Sequence, residues 1–150
     1  MKKLFYVLML PCILLATISC SDDPDDKAPP ATVTKVVSTM SSGTWKITLF
    51  SEDGVMETAN YNGYNFDFNG SNVLLAENGT NNYSGTWSVT NDDDDDSSNT
   101  LDFNIAFAGP DNFLELSEDW DILQRTDNKL VLHHVSGGDG GIDLLTFEKN

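Results

Sequence analysis

The chain of 150 residues carries 24 acidic and eight basic side chains, which gives a formal net charge of −16 at neutral pH. Such a surface excludes nucleic acid as a partner, because binding requires cationic side chains that displace the counterions of the phosphates. The length allows one domain with a hydrophobic core of its own.

The N-terminal segment is MKKLFYVLMLPCILLATISC. Two lysines precede an uncharged apolar run from Leu4 to Ile18, which is long enough for the core of a signal peptide but short for a membrane span. The run ends in ATISC, which resembles the lipobox of bacterial lipoproteins. This resemblance implies that residues 1–19 are a lipoprotein signal peptide and that lipid on Cys20 attaches the mature chain to a membrane. The alternative is an ordinary secretory signal in which Cys20 has no role.

An acidic segment, SDDPDDKAPP, follows Cys20. Its neighbouring aspartates repel one another and cannot pack, so we predict a disordered tether over residues 20–31. The acidic run also resembles the signal by which one Gram-negative phylum exports lipoproteins to the outer face of its outer membrane. The resemblance implies an outer-membrane lipoprotein at the cell surface, and the periplasmic face is the alternative.

Removal of residues 1–19 leaves six basic and 24 acidic side chains, a net charge of −18. Anionic lipid head groups repel such a surface, so membrane attachment depends on the lipid. Cys12 lies in the removed segment and Cys20 is the predicted lipid site. The mature domain, residues 32–150, therefore has no thiol for a disulfide, a metal or catalysis. We expect it to be a monomer.

The first predicted element of the domain is a short amphipathic helix. Thr32 is a suitable N-cap, and helical spacing relates the apolar residues Val33, Val36, Val37 and Met40. From Trp45 onward the apolar period changes to two, which predicts strands with one buried face.

The strands are predicted to follow one another in meander order. Asx-Gly pairs at 53–54, 69–70 and 78–79 favour tight hairpin turns. Eight such strands without helical crossovers predict an all-β fold, an eight-stranded antiparallel up-and-down barrel with a short N-terminal helix. Between the fifth and sixth strands, the segment PDNFLELSEDW predicts a short helical turn or a lid.

The order of the motifs resembles that of the lipocalins, in which a short helix precedes Gly-x-Trp at the first of eight strands. The series SGTWKIT, GYNFDFNG, SGTWSV, LSEDWDI and SGGDGGIDLLTFEK is similar to compact lipocalin-like lipoproteins of the same bacterial phylum. The resemblance implies that Trp45, two residues after Gly43, plugs one end of the barrel. It also implies that a basic side chain at the end of the last strand packs over Trp45. That residue is Lys149 here, where lipocalins usually have arginine.

The predicted inward-facing residues are large and include Phe66, Phe68, Trp87, Phe103 and Phe107. A barrel of eight strands is either filled by its side chains or holds one small ligand, and the sequence allows both. The lipocalin resemblance favours a lipid-anchored domain that binds a small apolar or amphipathic molecule along these residues. The alternative is a surface interaction module for a protein or a glycan, with a filled barrel.

Arg125 is the only arginine in the chain. If its side chain points into the barrel, it is a candidate partner for the carboxylate of a ligand. If it does not, we expect it to pair with a nearby aspartate such as Asp121.

No pattern of catalytic or metal-binding residues stands out, so we predict neither an enzyme nor a cofactor or metal site. His133 and His134 are adjacent in a predicted strand, so their side chains point to opposite faces and do not share a metal. The run Asp92–Asp96 lacks the spaced oxygen ligands and turn glycine of a built calcium site. We interpret it as a solvated hairpin loop.

Overall fold

The computed structural model describes residues 32–91, 101–137 and 140–150. The predicted signal peptide, the tether and the Asp92–Asp96 loop lie outside these ranges. The described elements, in chain order, are helix α1 (Val33–Met40), strands β1 (Trp45–Glu52) and β2 (Val55–Met56), a 3-10 turn (Thr58–Tyr61), strands β3 (Asn65–Phe68), β4 (Val73–Glu77), β5 (Asn82–Asn91) and β6 (Leu101–Phe107), helix α2 (Asp111–Leu114), and strands β7 (Asp119–Arg125), β8 (Lys129–Val135) and β9 (Ile142–Lys149).

The strands form one antiparallel sheet that closes on itself. From β3 to β9 each strand pairs with its neighbour in the chain, and β1 pairs with both β3 and β9. In the closing pair Trp45 lies opposite Lys149, and Ser51 lies opposite Leu144. The predicted eight-stranded antiparallel barrel with a short N-terminal helix is therefore confirmed. The two-residue strand β2 is additional and pairs with the last part of β1.

The Asx-Gly turns lie where the sequence predicts them. Asp53 and Gly54 both have positive φ angles, 47° and 82°, as a tight β1–β2 hairpin requires. In the β4–β5 turn the Asn78 side-chain oxygen accepts hydrogen bonds from two backbone amides. The Asn69 side chain does the same in the β3–β4 turn. Local side-chain chemistry thus sets these connections.

Two different structures close the ends of the barrel. We call the end that holds α1 and the start of β1 the tether end. There, Val36 and Met40 of α1 are fully buried. We call the opposite end, with β2, the 3-10 turn and α2, the distal end. The segment predicted as a helical turn or lid contains α2, and its Phe113 is fully buried, as is Tyr61 of the 3-10 turn to within 1%. This helix therefore acts as a plug.

Gly85, in the second SGTW motif, lies inside β5 rather than at its start. A Cβ atom at this position would lie 2.5 Å from the backbone oxygen of Ala106 on β6 and 2.8 Å from the Phe107 ring. The glycine therefore permits a close approach between β5 and β6.

We expect Gly85→Ala to destabilise the fold by about 1–3 kcal/mol, because the added methyl group overpacks the β5–β6 contact. Gly70→Ala is the matched control, since a Cβ atom there meets nothing within 4 Å and the φ angle is not positive. Urea unfolding measures both free energies. Equal midpoints for the two variants would contradict this account of Gly85.

Candidate functional site

The aromatic residues predicted to face inward are buried inside the barrel. Phe66, Phe68 and Phe103 have no surface that a water molecule can touch, and Trp87 and Phe107 are 4% and 6% exposed. Their burial follows from the period of two, which directs alternate side chains of each strand to the interior.

These rings contact one another rather than lining an open space. The Phe68 ring lies within 5.2–5.6 Å of the rings of Trp87, Phe103 and Phe147, in edge-on arrangements. Such contacts add to the stability gained from burial. The tether half of the barrel is therefore filled by rings from β3, β5, β6 and β9.

Phe113 of α2 fills the distal half. Its ring centroid lies 4.9 Å from that of Phe107 and 6.2 Å from that of Phe66. It also contacts Tyr61 and Tyr83, at 5.7 and 4.8 Å. The sequence analysis missed this role. The signal was one of several apolar residues in a mixed segment, and such a pattern does not show which side chain inserts into the barrel.

The residues of the lipocalin-like signature lie together at the tether end. Trp45 is fully buried, and its indole nitrogen donates to the Met40 carbonyl at 2.9 Å. The Lys149 ammonium lies 5.4 Å from the centre of the Trp45 ring, within the range of a cation–π contact. A Cβ atom at Gly43 would lie 3.2 Å from the Lys149 side chain, and the φ angle of Gly43 is 92°. The Lys149 side chain therefore packs against both Trp45 and Gly43.

Arg125 and the two histidines have specific partners. The Arg125 guanidinium donates to the Thr39 hydroxyl of α1 at 3.3 Å. Asp121, its expected partner, instead lies 3.5 Å from the His133 ring, because these two residues are directly opposite on β7 and β8. His134 lies on the same face as the buried Leu132 and contacts the ring of Trp120. The opposite orientation of the histidines agrees with the sequence prediction.

Two adjoining cavities of about 210 and 100 Å³ lie beside β5, and both include Asn72, Trp87 and Ser88. The larger also includes Thr86, Asn104 and Ala106, which alternate with the buried residues of β5 and β6. Both volumes are below the roughly 300 Å³ typical of small-molecule sites.

Carboxylates are crowded at the distal end. Burial raises the pKa of Glu52, and the neighbouring carboxylates of Asp143 and Glu57 raise it further. Burial also raises the pKa of Glu115, and repulsion from Glu57 and Glu52 adds to the effect. Tertiary contact brings these residues together from three separate segments, so the sequence did not reveal the cluster.

A second group at this end combines a histidine with two acids. Side-chain ligand atoms of Glu118, Asp119 and His134 lie within 4.8 Å of one another. The His134 Nδ1 atom is 3.0 Å from the Asp119 carbonyl oxygen, and Nε2 is 3.7 Å from the Glu118 carboxylate. Most of the β7–β8 hairpin separates Glu118 and Asp119 from His134 in the sequence, so no short motif predicted the group.

The fold and this interior define a class: a closed eight-stranded antiparallel barrel with an aromatic core and plugged ends. The structure is similar to the crystal structure of a DUF4847 family protein from Bacteroides vulgatus ATCC 8482, with a TM-score of 0.50 and 19% sequence identity over 77% of this chain and 97% of that chain. This similarity concerns the fold, and it fits the lipocalin-like barrel expected from the sequence. No protein-family model and no curated protein matches the chain.

Within the described ranges, no helix is both long enough and apolar enough to cross a membrane.

We expect Glu115→Gln to stabilise the protein at neutral pH, because the uncharged amide removes repulsion from Glu57 and Glu52. Solvent screening keeps the gain to about 0.5 kcal/mol or less. The raised pKa means that the folded protein binds more protons than the unfolded chain just above the ordinary pKa of glutamate. Wild-type stability therefore falls as the pH rises through that interval, and the advantage of the variant shrinks below about pH 4.

Urea unfolding at acidic and neutral pH measures this difference. Asp67→Asn is the control, since Asp67 is an exposed carboxylate on β3 toward the tether end. An equal gain in stability for both variants at neutral pH would show that crowding at the distal end is not the cause.

Proposed function

We propose that the protein is a lipid-anchored module of the cell envelope, exposed at the outer surface, that binds a partner through the outside of a filled barrel. The observation that carries this proposal is the aromatic interior. Rings from β3, β5, β6, β9 and α2 contact one another. Five of these rings have no surface accessible to water: Phe66, Phe68, Phe103, Phe113 and Phe147.

A small apolar ligand in the barrel, the other function expected from the sequence, would require these rings to separate. Protein interiors are packed as closely as organic crystals, so opening one sacrifices many contacts at once. An eight-stranded barrel also encloses a space that its own side chains are able to fill. The outer surface is therefore the better candidate for recognition, and the barrel serves as its scaffold.

The tether joins the barrel at one end. Residues 20–31 precede α1 in the chain, and α1 covers the tether end. With lipid on Cys20, attachment is at the tether end, and the distal end lies opposite the point of attachment and free for a partner.

We expect fatty acids and other apolar ligands to cause no saturable change in tryptophan fluorescence. All three tryptophans are at most 4% exposed and lie inside the barrel, so an interior ligand would alter their environment. Phe113→Ala is the positive control, because an apolar cavity left by a deleted ring binds molecules such as benzene. Saturable binding of an apolar ligand by the wild-type protein would contradict the filled-barrel proposal.

We expect Cys20→Ala to release the protein from the membrane fraction of the cells that produce it, because the lipid is its proposed attachment. Cys12→Ala is the matched control, since Cys12 lies within the proposed signal peptide and its loss leaves the anchor intact. Fractionation followed by immunoblotting measures both. A Cys20→Ala protein that remains with the membranes would refute the lipid anchor.

A further inference from the structure

Within the described ranges, the two ends of the barrel differ in charge. Every lysine and arginine within the described ranges belongs to an element or strand terminus at the tether end: Lys35, Lys46, Arg125, Lys129 and Lys149. The described part of the distal end has no lysine or arginine. It carries nine carboxylates: Glu52, Asp53, Glu57, Glu77, Asp111, Glu115, Glu118, Asp119 and Asp143. The distal end is therefore strongly anionic.

The distal end also exposes apolar side chains. Six large apolar residues are exposed within the described ranges, and five of them lie at this end: Val55, Met56, Leu114, Val135 and Ile142, with exposed fractions between 45% and 64%. The sixth, Leu123, lies on β7. Exposed apolar side chains that are grouped in this way mark surfaces for interaction, whereas single ones need no explanation.

Four of these residues lie on adjacent strands, in the order β2, β1, β9 and β8. Met56 pairs with Ser51, which also pairs with Leu144 of β9. Val135 of β8 pairs directly with Ile142. Glu118, which precedes β7, is near enough to Glu52 for its charge to raise the pKa of Glu52. We call the apolar and acidic residues grouped around these strand ends the distal face: Glu52, Val55, Met56, Glu118, Val135 and Ile142.

Partly buried hydrogen bonds of Asp143 hold the parts of this face together. The residue is only 7% exposed. It accepts one hydrogen bond from the Asp53 amide, at 2.9 Å, and another from the Ser136 hydroxyl, at 3.1 Å. Asp143 therefore joins the β1–β2 hairpin to the β8–β9 connection, and the face is organised before any partner binds.

We propose that the distal face is the docking surface for a basic segment of a protein partner, one in which lysine or arginine accompanies apolar side chains. This inference rests on the proposed function and adds the chemical class of the partner. Charge complementarity supports it, because the described part of this end has nine carboxylates and no lysine or arginine, a distribution that attracts cations and suppresses acidic partners. The exposed apolar side chains add surface that the apolar side chains of a partner would bury, whereas a free cation would gain nothing from it.

The test measures binding by isothermal titration calorimetry to the full mature chain, kept soluble by Cys20→Ala. The probes are a short synthetic peptide of alternating lysine and leucine and a second peptide with serine in place of leucine. We expect the wild-type protein to bind the lysine–leucine peptide at least about tenfold more tightly than the lysine–serine peptide, a difference of about 1.4 kcal/mol. Equal affinities would overturn the proposal.

Two double variants test the surface itself. Val55→Ser with Met56→Ser removes apolar area, and Glu52→Gln with Glu118→Gln removes charge. Each should weaken binding of the lysine–leucine peptide by about tenfold, and only the effect of the charge variant should fade at high salt.

Matched controls lie elsewhere on the barrel. Leu123→Ser removes an exposed apolar side chain from β7, and Asp67→Asn with Asp127→Asn removes two exposed carboxylates toward the tether end. Both should bind the peptide like the wild-type protein. An equal loss of affinity in the aspartate control would show binding by net charge alone, and an equal loss in Leu123→Ser would show that apolar contact is not specific to the distal face. Either result would overturn the proposal.

A cation is the competing occupant, through Glu118, Asp119 and His134. If Zn²⁺ binds tightly, His134→Gln abolishes that binding, and the substitutions at Val55 and Met56 leave peptide affinity unchanged, the face is a metal site and the proposal fails. The fluorescence titration separates the two levels of inference. An interior ligand would refute the filled barrel whatever the peptide does, whereas absent peptide binding with a packed interior refutes only the distal face.

Discussion

Pairing between β1 and β9, the first and last strands of the barrel, is the constraint on which the rest of the structure depends. It joins Trp45 to Lys149 at one end of the interface and Ser51 to Leu144 toward the other. Closure leaves no long sheet edge for association with other chains, and it limits the interior to the width that eight strands enclose. The side chains that alternate inward must then share that space, and here they are aromatic.

Closure of the sheet also leaves two open ends, and different kinds of side chains cover each of them. At the tether end, α1 lies over Trp45, and Lys149 packs against the outer side of the same ring. At the distal end, Phe113 and Tyr61 plug the opening while carboxylates surround it. The first arrangement is closed, and its lysine covers the tryptophan ring. Among the described residues, the second end is anionic and partly apolar, and we therefore place the proposed recognition there.

Much of the fold could be predicted because it depends on short-range patterns. The period of two in β1 and β6 identified buried faces, and the Asx-Gly pairs identified hairpins whose φ angles require such residues. Helix α1 followed from Thr32 and the spacing of its valines. The strand β2 was missed because two residues carry no period. Asp121, the partner expected for Arg125 if its side chain does not point into the barrel, instead lies beside His133, because cross-strand register places these two residues opposite each other.

The sequence by itself determined the all-β class, the order of the main strands, the positions of the Asx-Gly turns and the inward orientation of several aromatic residues. These properties follow from the backbone preferences of neighbouring residues and from the alternation of side chains along a strand. Only the tertiary structure decided that the rings fill the barrel, that Phe113 plugs it, and that carboxylates from distant segments gather at one end. Those outcomes depend on volume and on register across the closed sheet, and neither quantity is encoded in any single stretch of the chain.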